Sequence, residues 1–141
     1  MTIIEKLSEF IKNADNSGPR NLWIEDENMK VYVRKSRRLL AGKMICALDI
    51  ATISVDESKQ RQGFCTNFLT EAHESNPWDA TFVECVLDKN LSSSLIRRGW
   101  ILKEGEETES FFMPKDIAKY YDQILNEKNQ GVFKEKFWGT F

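Results

Sequence analysis

Apolar and polar residues recur along this chain with two different periods. Over residues 2–13 the apolar positions follow the i, i+3, i+4 and i+7 spacing that predicts an amphipathic helix. These positions are Ile3, Ile4, Leu7, Phe10 and Ile11. The segment Asn16-Ser17-Gly18-Pro19 is expected to end this helix, because its residues favour turns and a proline has no amide hydrogen.

After the first helix the period changes to two, which is typical of strands. Residues 21–25 and 29–35 are predicted strands, and the second alternates apolar and polar positions along its length. Residues 43–55, KMICALDIATISV, are apolar on both faces, which favours a central strand that is covered on both sides.

The remaining pattern predicts two helices inside a run of strands. The elements are a helix over 63–74, a strand over 80–87, a short helix over 90–98, a hairpin of 100–104 and 108–113 across Gly105, and a last helix over 116–126. Strand, helix and strand in the middle indicate a right-handed crossover between parallel strands. Hairpins on either side indicate antiparallel pairs, so a mixed sheet with helices packed on its faces is expected.

Composition narrows the class of protein. The chain has 141 residues, about one domain, and a formal net charge of −2, which argues against a dedicated nucleic-acid binder. No apolar run approaches the ~20 residues that cross a bilayer, and the start lacks the apolar segment of a secretory signal.

Three cysteines without CxxC spacing, Cys46, Cys65 and Cys85, indicate reduced thiols in the cytoplasm. One histidine, His73, makes no zinc site, and we interpret it as a solvated or capping residue.

The stretch QRQGFCTNF, residues 60–68, joins the central strand to the helix that follows. The first amides of a helix have no internal partner and lie at the positive end of its dipole, so they bind a diphosphate readily. Gly63 allows the backbone to approach a ligand closely. The alternative is a plain turn whose amides bind water.

With its neighbours this stretch resembles the acetyl-CoA motif of the GNAT superfamily of N-acetyltransferases. The resemblance rests on ISVDESKQRQGFCTNFL (53–69), VECVLDKNLSSSLIRRGW (83–100) and the closing hairpin WILKEGEETESFFM. Cys65 departs from the usual glycine or alanine. The whole run also resembles small GNAT-type proteins encoded by bacteriophages.

The resemblance implies a fold and a cofactor site. The fold is α+β, a mixed, mostly antiparallel sheet with helices on both faces and a V-shaped splay between two central parallel strands. One domain would span 1–141, with its core at 20–113, the helix 2–13 before it and a helix and aromatic tail at 115–141. The implied acetyl-CoA-binding residues are Ile53, Ser54, Val55, Gln60, Arg61, Gln62, Gly63, Phe64, Cys65, Thr66 and Asn90.

The resemblance also implies how the acetyl group is transferred. An amide near Ile53 would face the thioester oxygen, and a carboxylate would accept the proton of the attacking amine. Asp49 and Glu84 are the candidates, since each stands alone in an apolar strand; the alternative for Asp49 is a backbone or arginine partner. The family's usual acid, a tyrosine, corresponds to Leu95. Its substitutes are Ser93, Ser94, Tyr120 and Tyr121, for each of which a surface or packing role is the alternative.

We therefore expect an acetyl-CoA-dependent N-acetyltransferase that needs no metal and acts by direct attack in a ternary complex. The alternative is a catalytically degenerate GNAT-fold protein that binds a host protein. The acceptor stays open among protein N-termini, lysines, small amines and aminoacyl-tRNA, although nucleic acid is not the expected partner. Residues 34–38 are interpreted as a solvated hairpin turn, with the CoA 3′-phosphate or RNA as alternative partners. The aromatic tail docks on its own domain or forms a homodimer.

Overall fold

In the part of the chain that the structure describes, three helices and six strands define the architecture. A computed structural model describes residues 1–40, 42–86, 88–103 and 109–120. Its helices are α1 (Ile3–Asp15), α2 (Phe64–Ser75) and α3 (Lys89–Arg97), with short 3₁₀ turns at Glu57–Lys59 and Ala118–Tyr120. Its strands are β1 (Asn21–Glu25), β2 (Met29–Leu40), β3 (Lys43–Val55), β4 (Ala80–Val86), β5 (Ile101–Lys103) and β6 (Glu109–Pro114).

The strands form a single sheet in the order β1-β2-β3-β4-β6-β5. Within the described residues every neighbouring pair is antiparallel except β3 and β4, which confirms the predicted mixed, mostly antiparallel sheet. The parallel ladder runs from Ala47 opposite Ala80 to Ile50 opposite Val83 and stops there. Because β3 continues to Val55 and β4 to Val86, the two strands leave an unpaired gap at their carboxyl ends.

Alternation along the strands gives the sheet two different faces. The first face packs against α1, α2 and α3, and its core includes Leu7, Phe10, Val31, Val33, Leu48, Ile50, Phe68, Leu69, Val83, Leu95 and Phe111. The second face has a smaller apolar cluster of strand residues, namely Leu40, Ile45, Ala47, Ala80, Phe82, Ile101 and Phe112. Register places Arg34 opposite Asp49 on this second face, beside that cluster.

Local signals explain most helix ends. Thr2 and Glu5 form a capping box at the start of α1, where the Thr2 hydroxyl accepts from the Glu5 amide at 3.1 Å. Gly99 follows α3 with a φ of 90°, a conformation that a glycine adopts without strain. The chain can therefore reverse into β5 immediately after α3, as the sequence predicts.

The interpretation of residues 34–38 as a hairpin turn is wrong. Strand β2 continues to Leu40, so this basic run lies inside a strand, and Gly42 lies in a turn before β3. The strand tolerates the charges because alternation distributes them between the faces. Lys35 pairs with Asp15 at 2.8 Å and lies over the Trp78 ring on the helical face, whereas Arg34 and Arg38 meet carboxylates on the other.

Some predictions fall outside the described residues. These are Gly105 in the last hairpin, most of the predicted helix 116–126 and the aromatic tail 131–141; of that helix, the described part holds the 3₁₀ turn Ala118–Tyr120. No helix in the part of the chain that the structure describes is long and apolar enough to cross a membrane.

Candidate active site

A cavity of about 730 Å³ opens where β3 and β4 part. It is lined from the strand ends, the turn after β3 and the starts of α2 and α3. The lining residues are Ile53, Val55, Lys59, Gln60, Arg61, Gly63, Phe64, Cys65, Thr66, Val83, Glu84, Val86, Asp88, Asn90 and Leu91. Such a crevice, beyond the carboxyl ends of parallel strands, is where ligands commonly bind in sheets of this kind.

The end of β3 presents main-chain groups to this cavity. The Asp56 amide donates to the Asn28 carbonyl at 3.4 Å, so alternate residues of β3 pair with β2. The backbone groups of the intervening residues, Ile53 and Val55, consequently face the gap left by β4. The Gln60 side-chain nitrogen Nε2 donates to the Val55 carbonyl at 3.1 Å, which agrees with this direction. An extended ligand can therefore hydrogen-bond along the exposed edge of β3.

The start of α2 has amides without a cap. Arg61 and Gly63 have φ values of 66° and 83°, so the turn makes two left-handed steps before the helix. The first intrahelical bond runs from the Asn67 amide to the Gly63 carbonyl at 2.9 Å. The amides of Phe64, Cys65 and Thr66 precede it, and no side chain caps them. Backbone amides arranged in this way can bind an anion.

The start of α3 lines the same cavity but is capped. The Asp88 carboxylate accepts from the amides of Asn90 at 2.8 Å and Leu91 at 3.4 Å. The Asp88 carboxylate already supplies the negative charge that the N-terminal end of this helix dipole attracts. Asp88 therefore makes α3 a poor second site for a phosphate.

Two cationic residues, Lys59 and Arg61, lie on the cavity wall. The Lys59 ammonium donates to the Asn28 side chain at 2.7 Å and to the Glu27 carbonyl at 3.3 Å, so it is held beside the cavity. The Arg61 side chain is exposed. Both add positive charge near the uncapped amides of α2.

The thiol of Cys65 faces the same space but is not prepared for nucleophilic attack. Burial raises its pKa, and the nearby Asp88 carboxylate raises it further. The thiol is therefore protonated at neutral pH. A nucleophilic role for this thiol is therefore disfavoured.

Four charged side chains form an arginine–carboxylate cluster (Arg34, Arg38, Asp49 and Glu84) on the second face of the sheet. The Arg38 guanidinium bonds both oxygens of Asp49, at 3.0 and 3.1 Å, and also reaches Glu84. Arg34 Nη2 lies 2.7 and 2.8 Å from the two oxygens of Glu84 and 3.5 Å from Asp49. Although burial acts to lower the pKa of Arg38, its bonds to Asp49 and Glu84 outweigh that effect and raise it.

The two candidate carboxylates differ in access. Glu84 both lines the cavity and joins the cluster, and its side chain is 24% exposed. Asp49 does not line the cavity, and its side chain is 2% exposed. The arginine partner considered for Asp49 is thus present, and of the two carboxylates only Glu84 lines the cavity.

Solved structures share this architecture, whereas no protein-family model and no curated protein matches the chain. AtaT complexed with acetyl-methionyl-tRNAfMet gives a TM-score of 0.54 at 16% identity over 81% of each chain. The fold is GNAT-like. AtaTR bound with AcCoA gives 0.52 at 17% identity, over 75% of this chain and 76% of that one. A mutant AtaT toxin bound to the C-terminus of AtaR and acetyl-CoA gives 0.50 at 21%, over 62% and 60%.

These similarities concern the GNAT fold. The chain spans about three fifths of the length of the mutant AtaT toxin chain, 60%. Because AtaT itself is complexed with a tRNA, the comparison gives no support to our expectation, drawn from net charge, that nucleic acid is not a partner.

Most predicted cofactor residues of this GNAT-like fold meet at the cavity. Of the predicted set only Ser54 and Gln62 do not line it, and Gln62 instead donates to the Ser58 carbonyl at 3.3 Å. The sequence analysis missed the cavity residues Val83, Val86, Asp88 and Leu91. These residues are found only by aligning the ends of β3 and β4, and that alignment requires the register of the parallel pair.

The histidine does not line the cavity, and two of the candidate acids, Tyr121 and the side chain of Tyr120, lie outside the described residues. Leu95 is fully buried in the core, and Ser94 accepts from Arg98 Nε at 3.4 Å. Neither Ser93 nor Ser94 lines the cavity. The interpretation of His73 as solvated or capping is wrong: it is half-buried, and its Nδ1 lies 2.9 Å from the Thr81 hydroxyl. Desolvation, followed by the charge of Lys115, lowers its pKa to about 4.

Proposed function

We propose that this protein is an acetyl-CoA-dependent N-acetyltransferase that acts on a primary amine by direct attack in a ternary complex. The observation that carries the proposal is the uncapped start of α2 behind Gly63, at a cavity between two parting parallel strands. Two structures of similar fold, AtaTR and the mutant AtaT toxin, contain acetyl-CoA.

Two parts of acetyl-CoA would find partners at this cavity. The pyrophosphate would bind the amides of residues 64–66, with Lys59 and Arg61 beside it. The pantetheine arm would extend along the main-chain groups of Ile53 and Val55. In this orientation the thioester would approach Glu84, which lines the cavity from β4.

The chain's residues then have defined roles in transfer. The amide of Ile53 would stabilise the oxyanion that forms when the amine nitrogen attacks the acetyl carbonyl. Glu84 would accept the proton that this nitrogen loses, directly or through one water. As the C–S bond breaks, the thiolate would take its proton from water, because Leu95 supplies none. Asp49 acts as a positioning residue, since it holds Arg38 against Glu84.

The proposal is tested by binding and turnover together. Wild-type protein should bind acetyl-CoA by calorimetry and release thiol with at least one member of an amine panel. Glu84→Gln should keep the binding and lower kcat by about 10²-fold or more, the usual contribution of a general base. The control is Glu109→Gln, which alters another partly buried, ion-paired glutamate, on β6. If the wild type binds no acetyl-CoA, or if both variants turn over equally, the proposal is wrong.

A second candidate is a GNAT-fold protein that binds a partner without turnover, such as a bacteriophage protein acting on a host protein. Leu95, buried where the family has its acid, favours it. Acetyl-CoA binding without thiol release across the panel would support this candidate. The panel should include methionyl-tRNA, because AtaT is complexed with acetyl-methionyl-tRNAfMet. In either case we place the protein in a reducing cytoplasm, which suits the free thiols of Cys46 and Cys65.

A further inference from the structure

The two arginines of the arginine–carboxylate cluster are held very differently. Arg38 makes a bidentate pair with Asp49, its guanidinium lies 4.3 Å from the Phe82 ring centroid, and its side chain is 18% exposed. A bidentate bond, ring stacking and burial together fix a guanidinium in one place. These contacts hold the Arg38 guanidinium in place within the cluster.

Arg34 is held by fewer contacts. One nitrogen, Nη2, makes both of its bonds to Glu84, and the side chain is 38% exposed. Its Nε is buried without a hydrogen-bond partner among the described residues. A buried, unpartnered donor is unfavourable in free energy, so this pose of Arg34 is strained relative to one in solvent. Arg34 can leave Glu84 more readily than Arg38 can.

The position of Arg34 is the one that an amine acceptor needs. Glu84 is the cluster carboxylate that lines the cavity, and Arg34 Nη2 covers both of its oxygens. The opposite, helical face holds the uncapped amides of α2, so an acceptor approaches Glu84 from the face of Arg34. A cation that binds Glu84 from that side has to replace this guanidinium.

We propose that the Arg34 guanidinium occupies the acceptor's ammonium site on Glu84 and is displaced when a cationic amine binds. The inference rests on the proposed function for its catalytic meaning. With Arg34 in place two cations balance two carboxylates; once it swings out, Arg38, Asp49 and Glu84 leave one negative charge. That charge selects a singly charged primary ammonium, such as an alkylamine or a lysine side chain, over a carboxylate-bearing or phosphorylated acceptor.

The displacement can be observed without acetyl-CoA. n-Butylammonium chloride is titrated into wild-type protein while the Nε–H signals of the arginines are followed by NMR, with sodium chloride at equal ionic strength as control. The Arg34 signal should move toward that of the exposed Arg37 and exchange faster with solvent, while the Arg38 signal stays. If n-butylammonium leaves the Arg34 signal unmoved, or moves Arg38 equally, the proposal is overturned.

Variants then measure the competition. Arg34→Ala should bind n-butylammonium roughly fivefold more tightly than wild type, the effect of removing one partly exposed charge contact. Arg34→Lys should resemble wild type, and Arg37→Ala, on the same strand, should change nothing. Unchanged or weaker binding by Arg34→Ala overturns the proposal, and weaker binding would assign Arg34 to an anionic acceptor. Should Arg34→Ala not fold, the wild-type titration decides alone. Because no step uses acetyl-CoA, failure here is distinct from failure of acetyl transfer.

Discussion

Two helices begin at the same cavity, and they begin differently. At α3 the Asp88 side chain accepts from the amides of Asn90 and Leu91. At α2 the corresponding position is Gly63, which has no side chain to offer, and the first three amides precede any intrahelical bond. The contrast indicates that the proposed phosphate site depends on the cap that the sequence omits at α2 and supplies at α3.

The difference also gives the cavity a direction. Asp88 contributes a negative charge at the α3 side, whereas Lys59 and Arg61 contribute positive charge at the α2 side. A diphosphate is repelled from the first and attracted to the second. Lys59 and Arg61 thus favour binding at α2, whereas Asp88 disfavours binding at α3.

The largest predicted effect comes from making the two helix starts alike. Gly63→Asp places a carboxylate at the N-cap of α2, where it would bond the amides that the proposed diphosphate needs and would repel the ligand. Juxtaposed like charges cost several kcal/mol, so acetyl-CoA affinity should fall by at least about a hundredfold by calorimetry.

Gly42→Asp is the matched control for this change. Gly42 also has a positive φ, 73°, and an added Cβ there meets no atom within 4 Å, while at Gly63 the nearest is the Asn67 side-chain nitrogen at 3.8 Å. Both variants therefore carry similar backbone strain, but only one alters the cavity. Equal loss of affinity in the two would remove the distinction between the helix starts.

The sequence predicts one side of this contrast better than the other. Gly63 and the apolar run of β3 are local signals, so the strand, the turn and the α2 amides are predicted from them. Glu84 and Arg34 stand 50 residues apart, and their bond depends on the sheet order and register. The same holds for Val83 and Val86, which reach the cavity because β4 stops pairing with β3 at Ile50. The interpretation of residues 34–38 as a turn is wrong because a polar run also suits a strand whose charged side chains pair with carboxylates.

The far end of α2 tests whether the helix is firmly anchored or whether its uncapped start reflects weak order. His73 lies in the last turn with its pKa lowered to about 4, chiefly by burial, against an ordinary 6.5. The unfolded chain therefore binds a proton between pH 6.5 and 4 that the folded chain does not. Folding stability should fall as the pH drops through this window, with the loss complete below about pH 4.

Urea unfolding at pH 7, 6 and 5 measures this dependence. His73 is the single histidine of the chain, so His73→Gln should flatten the curve between pH 6.5 and 5, above the range where carboxylates titrate. A slope that survives in His73→Gln would show that another group titrates there. It would also weaken the view that α2 is firmly anchored behind its uncapped start.

The smallest predicted effect separates the two roles of Asp88. Asp88→Asn keeps a good N-cap but removes the charge, so stability should hold while acetyl-CoA binds a few-fold more tightly. Asp88→Ala removes the cap as well and should lower the free energy of unfolding by about 1 kcal/mol.

In both variants the pKa of Cys65 should fall slightly, since Asp88 is the second cause of its rise after burial. Alkylation of Cys65 against pH, followed by mass spectrometry, measures that change. If Asp88→Asn left acetyl-CoA affinity and the Cys65 profile both unchanged, the carboxylate would act as a cap alone, and the uncapped amides of α2 would direct the ligand by themselves.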